Sequence, residues 1–267
     1  MREFIIPEKY SVFMPDESPE KLKTIERGFA VLEWIREHEG GEVAEIADSL
    51  EMSSSTVHRY LDSLASEGYL VKEDGVYHLS LNFLAFGEQA RTRKDVYTNA
   101  EEYTKMLSDE SGCRSSFVVE ESGKGVYLYT SPGDHGVWTK STIGKRFPLH
   151  VTAAGKSILA FLPEQRIQEI LDEHGLVRKT SQSITDEAQL YEELELVREN
   201  GYAFNNEEQI EGVIAVGAPV KDPEGRVIGA FSVSGPANRL TEDWFREELP
   251  SIVLGMTGEF ELRLTLS

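Results

Sequence analysis

Three short stretches of helical apolar spacing, followed at once by a hairpin signal, occupy residues 24–79 and leave few folds open. Ile25, Phe29, Leu32 and Ile35 fall on one helical face, and Gly40-Gly41 ends that segment. Val43, Ile46, Ala47 and Leu50 follow at i, i+3, i+4, i+7. After a break at 51–53, Val57, Tyr60, Leu61 and Leu64 repeat the pattern until Gly68 stops it. Ser53 or Ser54 can cap this third helix through its hydroxyl. The runs 69–72 and 76–79 flank Glu73-Asp74-Gly75, and Asp-Gly between alternating runs specifies a tight hairpin.

Helix, turn, helix and hairpin in that order predict a winged helix-turn-helix, whose second helix of the pair enters the major groove of DNA. With Val57, Tyr60, Leu61 and Leu64 buried, the helix offers Ser53, Ser54, Ser55, Thr56, His58, Arg59 and Ser63 to a partner. Short hydroxyls at a helix start reach phosphates or base edges, and Arg59 can grip a guanine or a phosphate. The hairpin adds Lys72 and His78. The competing reading is a protein-binding module with a merely solvated polar face. Asp62 and Glu67 oppose phosphate contact, and Arg59 can instead pair with an acid on a neighbouring helix.

The remainder of the 267 residues changes character. Residues 1–20, with Pro7, Pro15 and Pro19, read as an irregular arm, 21–80 as the helix-turn-helix domain, and 81–94 as a linker helix. From 95 to 267 helices mix with strands joined by short turns, at 115–121 with 126–131 and at 213–220 with 226–234. That is an α+β domain built on an antiparallel sheet. Helices are expected near 96–107, at 152–162 capped by Thr152, at 186–200 stopped by Gly201, and at 242–263.

Forty-seven acids against 27 bases give a net charge of −20. Residues 1–90 hold 18 acids and 8 bases and the rest 29 and 19, so the excess is spread evenly. A simple basic nucleic-acid surface is excluded. The acidity is either a solvated surface kept soluble by repulsion or an adaptation to a saline interior, where charges are screened within a few ångströms. Apolar runs are too short for a membrane span, and no signal-type run opens the chain, so the expected address is the cytoplasm. The single cysteine, Cys113, excludes an internal disulfide and a cysteine-cluster zinc site.

Thr152-Ala153-Ala154-Gly155 opens a helix whose free amides and dipole suit an anion, and its small side chains let a ligand approach the backbone. The plainer alternative is a tightly packed helix start. Ser232 and Ser234 alternate onto one strand face, where both can donate to a carboxylate.

Beyond pattern, particular residues resemble IclR-type transcriptional regulators. The first half carries Val43-Ala44-Glu45-Ile46-Ala47, then Met52 to Leu61 with its Ser-Thr-Val-x-Arg core, Gly68-Tyr69-Leu70 and the wing Gly75 to Leu79. The second half carries Phe147 to Lys156, Glu193-Leu194 with Val197-Arg198 and Gly201-Tyr202, Glu207-Glu208 with Gly212-Val213, Ala218-Pro219-Val220, and Ser232 to Pro236 with Arg239-Leu240. These blocks stand in family order over about 22–263. The resemblance implies a GAF-like or PAS-like effector domain with Ala153, Ala154, Gly155, Asn205, Val213, Ala215, Ser232 and Ser234 at its pocket. It implies operator DNA and a small-molecule effector as partners, and dimers, paired or not into tetramers, joined through the N-terminal region and linker helix. Asn205 stands for an acid of some relatives and Ala215 for a cysteine, so the ligand is expected to differ. Ser54 stands where lysine is common and Glu51 where glycine is common, which makes the DNA face less positive.

Enzyme signals fail one by one. Gly155-Lys156-Ser157 resembles a phosphate loop, but His150 occupies its required first glycine. Neither Ser232 nor Ser234 follows a glycine two residues earlier, as a nucleophile elbow requires. The six histidines show no i, i+4 pair, so no metal or cofactor is expected. Glu207-Glu208 reads as loop capping. The reading is an effector-responsive DNA-binding regulator, against a small-molecule hydrolase or isomerase carrying an N-terminal interaction module.

Overall fold

The computed structural model describes residues 22–133 and 143–266, so the expected arm at 1–20 lies outside the described residues. The chain divides into two compact units, one up to Ala90 and one from Arg91.

In the first unit, α1 (Lys23–His38), α2 (Val43–Ser49) and α3 (Ser54–Ser66) enclose a small core of Val31, Ile35, Ile46, Val57, Leu61, Leu70 and Tyr77. Helix α2 begins with a capping box in which the Glu45 carboxylate accepts from the Glu42 amide at 2.9 Å. The strands β1 (Leu70–Glu73) and β2 (Val76–Leu79) form the wing. Asp74 and Gly75 both hold positive φ (50° and 94°), the requirement of a two-residue hairpin turn. Gly41 and Tyr77 exchange backbone hydrogen bonds and tie the wing to the α1–α2 corner.

One expectation for α1 is corrected. Val31 and Ile35 fill its core face, whereas Ile25 and Phe29 are 54% and 62% exposed. The helix carries two apolar stripes, and Leu22, Ile25 and Phe29 form the outer one. The linker is a helix, α4, over Asn82–Arg91, with Leu84 and Phe86 exposed.

The second unit is a six-stranded antiparallel sheet between two helical layers. Its strands are β3 (Arg114–Glu121), β4 (Lys124–Ser131), β5 (Arg146–Pro148), β6 (Ala203–Asn206), β7 (Val213–Lys221) and β8 (Val227–Pro236), in the spatial order β5-β4-β3-β8-β7-β6. The β3–β4 turn is tighter than the sequence suggested, because Ser122-Gly123 alone makes it. Phe117, Val119, Val216, Phe231 and Val233 point to one face, beneath α5 (Asp95–Ser111) and α9 (Leu249–Leu266). Val118, Tyr127 and Ala230 point to the other, beneath α6 (Ala153–Ala160), α7 (Glu164–His174) and α8 (Glu187–Asn200). Helix α7 was not anticipated, and one π-helical turn at Trp244–Glu248 precedes α9 inside the expected last helix.

Candidate DNA-reading helix and effector cavity

Helix α3 keeps Val57 and Leu61 fully buried and turns a polar face outward. Ser53 is its N-cap, and its hydroxyl accepts from the Thr56 amide at 3.3 Å and bonds the Thr56 hydroxyl at 2.8 Å. Ser63 donates back to the Arg59 carbonyl at 2.7 Å. His58 Nδ1 lies 2.7 Å from an Asp62 carboxylate oxygen. Ser53, Thr56, Ser63 and His58 are therefore engaged within the helix itself. Ser54, Ser55 and Arg59 are exposed on it, and Arg59 makes no ion pair among the described residues, so the neighbouring-acid alternative finds no partner there. On the wing, Lys72 lies over the Tyr77 ring with its ammonium 4.8 Å from the centroid and remains exposed. His78 Nδ1 is 3.1 Å from the Glu39 carbonyl, which anchors the wing to the α1–α2 corner.

In the second unit a cavity of about 470 Å³, counting its mouth, opens between the sheet and the start of α6. The strand register builds its floor in two cross-strand rows. Arg114, Ser234, Ala215 and Asn205 form one row, and Ser116, Ser232 and Gly217 the next. The wall is Thr152, Ala153 and Ala154, and Gln209 with Ile210 reaches in from the loop after β6. Helix α6 comes this close because residue 217 is glycine: a Cβ there would stand 2.7 Å from the Ala154 nitrogen. Thr152 caps α6 by accepting from the Gly155 amide at 2.9 Å.

Of the expected pocket residues, Ala153, Ala154, Asn205, Val213, Ala215, Ser232 and Ser234 line this one cavity. Gly155 does not. Its missing side chain serves packing, since a Cβ there would collide with the Leu149 carbonyl. Asn205 acts as a strut: it donates to the Val151 carbonyl at 2.5 Å and accepts from the Glu208 amide at 3.3 Å. Sequence reasoning passed over Arg114, Ser116, Tyr127, Gln209 and Ile210. The first two had a signal, because polar side chains at 114 and 116 continue the inward alternation of Val118.

Lys156, set aside as part of a false phosphate loop, is 1% exposed and donates to Glu193 and Glu208, both at 2.8 Å. It pins α6 to α8 and to the loop that carries Gln209 and Ile210. Ser183 holds the same loop by donating to the Glu208 carbonyl at 2.7 Å. Burial pushes the His150 imidazole below its usual range, and its Nε2 lies 3.1 Å from the Val177 carbonyl.

Residues 88–256 match the family described as bacterial transcriptional regulator IclR, C-terminal, and 24–74 match the IclR helix-turn-helix domain. The chain belongs to the IclR family of transcriptional regulators. It is 33% identical over 250 residues to the probable HTH-type transcriptional regulator ArcR of Halobacterium salinarum, covering 92% of this chain and 95% of that protein. The crystal structure of Thermotoga maritima IclR superposes with a TM-score of 0.75 at 30% identity, over 90% of this chain and 98% of that one. An inducer-binding domain of the Acinetobacter PobR transcription factor, a double mutant in complex with 3-hydroxybenzoic acid, gives a TM-score of 0.57 at 27% identity over 61% of this chain and 96% of its own. These relatives are regulators and not enzymes, and the hydrolase alternative falls with that. The chain is a helix-turn-helix regulator of the α+β IclR architecture with an effector-binding domain. Among its described residues no helix is long and apolar enough to cross a membrane.

Proposed function

We propose that this family member binds a specific operator through α3 and that a small organic acid in the β3–β8 cavity sets its affinity for that operator. The observation that carries the reading is the gathering of seven expected pocket residues, drawn from four separate segments, around one cavity under α6. The bound 3-hydroxybenzoic acid of the PobR domain supports an acid as ligand. Residues 21–80 are taken as the DNA-reading domain, 81–94 as the linker and 95–267 as the effector domain. The site of action is the cytoplasm.

The functional particle is a dimer, alone or paired into a tetramer. Leu22, Ile25 and Phe29 on α1 and Leu81, Leu84 and Phe86 at α4 are more than half exposed. Apolar stripes on an otherwise acidic surface call for a covering partner, and two recognition helices double the base contacts. The experiment is light scattering and fragment retention with the full chain and the DNA flanking its gene, in molar potassium chloride. The reading expects a dimeric or tetrameric mass and retention of a discrete fragment. A strictly monomeric mass, or retention of no fragment, contradicts it.

A further inference from the structure

We propose that Arg114, Ser116 and Ser232 form an anion cradle on the β3–β8 floor of the cavity, so that the ligand is a small carboxylate held head-first by Arg114. This rests on the cavity being the effector site and names the chemistry that the site accepts. Arg114 is 8% exposed, lines the cavity, and has its guanidinium carbon 5.6 Å from the centroid of the Tyr127 ring. Burial lowers its pKa, the mark of a cation held away from water, and the tyrosine is what offsets that effect. Among the described residues lining the cavity there is no Asp or Glu, so its charge is positive.

Two further donors face the same space. Ser116 and Ser232 are directly opposed in the β3–β8 register and are 5% and 7% exposed. Neither hydroxyl makes a hydrogen bond among the described residues. Buried hydroxyls are nearly always bonded, and two neighbouring exceptions inside a cavity mark where a ligand's acceptor belongs. The planar fork of an arginine matches the two oxygens of a carboxylate, and the serines can donate to its remaining lone pairs. Across the cavity, the Ala153 and Ala154 amides head α6 without intrahelical acceptors and reinforce the preference for negative charge. Ile210, Val213 and Ala215 give the rest of the ligand an apolar bed.

The test uses the full chain and follows the melting midpoint and titration calorimetry with benzoate, 4-hydroxybenzoate and pyruvate, beside benzamide and inorganic phosphate. At least one acid should raise the midpoint, while benzamide and phosphate should not. Arg114→Gln should weaken that acid by about tenfold or more, as loss of a charged hydrogen bond does, and Arg114→Lys should retain part of the affinity. Ser116→Ala with Ser232→Ala tests the cradle should Arg114→Gln lose its cooperative melt, and should also weaken the acid. DNA-fragment binding by Arg114→Gln without acid should equal that of the wild type, so a failure of the cradle is distinct from a failure of the regulator reading. The proposal is overturned if no acid binds, if benzamide or phosphate binds as well as the acids do, or if acid affinity survives both sets of substitutions.

Discussion

At the residue scale, a side chain matters to DNA only if it is not already spent within the protein. Ser53 caps α3, Ser63 bonds the Arg59 carbonyl and His58 is paired with Asp62, which leaves Arg59 as the exposed cation of the reading face. Arg59→Ala should therefore weaken operator binding by about 1–3 kcal/mol, the usual loss of a good base contact. The melting midpoint should barely move, since exposed substitutions away from special features stay within about 0.5 kcal/mol. Fluorescence anisotropy on a labelled operator reads the first and a thermal melt the second; unchanged operator affinity would take Arg59 out of the groove. Lys156 is the opposite case. Its neighbours in sequence suggested phosphate chemistry, yet its ammonium is locked between Glu193 and Glu208 and faces no ligand.

At the element scale, the turn between α2 and α3 shows a family departure acting on the backbone. Glu51 sits at φ 51° in the left-handed region that favours glycine. The turn around it is a Schellman closure: the Met52 amide donates to Ala47 at 2.9 Å and the Glu51 amide to Asp48 at 3.4 Å. Glu51→Gly should relieve that conformation and remove a negative charge beside the DNA face. The expected gain is at most about 1 kcal/mol of stability, with the greater entropy of unfolded glycine offsetting part of the relief, and operator binding should tighten. Chemical denaturation measures the first effect; a loss of stability would show that Glu51 makes a compensating contact. The elements legible in the sequence were those whose periodicity and turn chemistry agree, such as α3 with its serine cap or the wing with Asp74-Gly75. Helix α1 was misread because Ile25 and Phe29 share an apolar periodicity with Ile35 but lie on the stripe that the single chain leaves open. The short strands β5 and β6 were missed because three or four residues carry no period, and their pairing is set by distant partners. In the cavity, Ser232 and Ala154 were legible through family blocks, whereas Arg114 was not, because only the register with Ser234 shows which face its side chain takes.

At the scale of the whole molecule, a net charge of −20 bears on both folding and DNA binding. We take it as an adaptation to high salt, since like charges spread over both halves of the chain repel most where nothing screens them. Melting should then rise steeply from dilute buffer to molar potassium chloride, and a flat or falling midpoint would leave the acidity a matter of solubility alone. The central claim is that an acid bound in the β3–β8 cavity alters operator affinity. A ligand that binds both states of the protein equally shifts nothing, so coupling has to appear as a difference between two measured affinities. The direct measurement is titration of a labelled operator in molar salt, with and without saturating acid, on the wild type and on Ala154→Phe, whose ring fills the cavity beside α6. For the wild type the predicted change in Kd is about fivefold or more, the lower end of allosteric coupling, and for Ala154→Phe an acid-free Kd that acid leaves unmoved. A wild-type Kd that is the same with and without bound acid, or an Ala154→Phe protein that responds as the wild type does, would contradict the account.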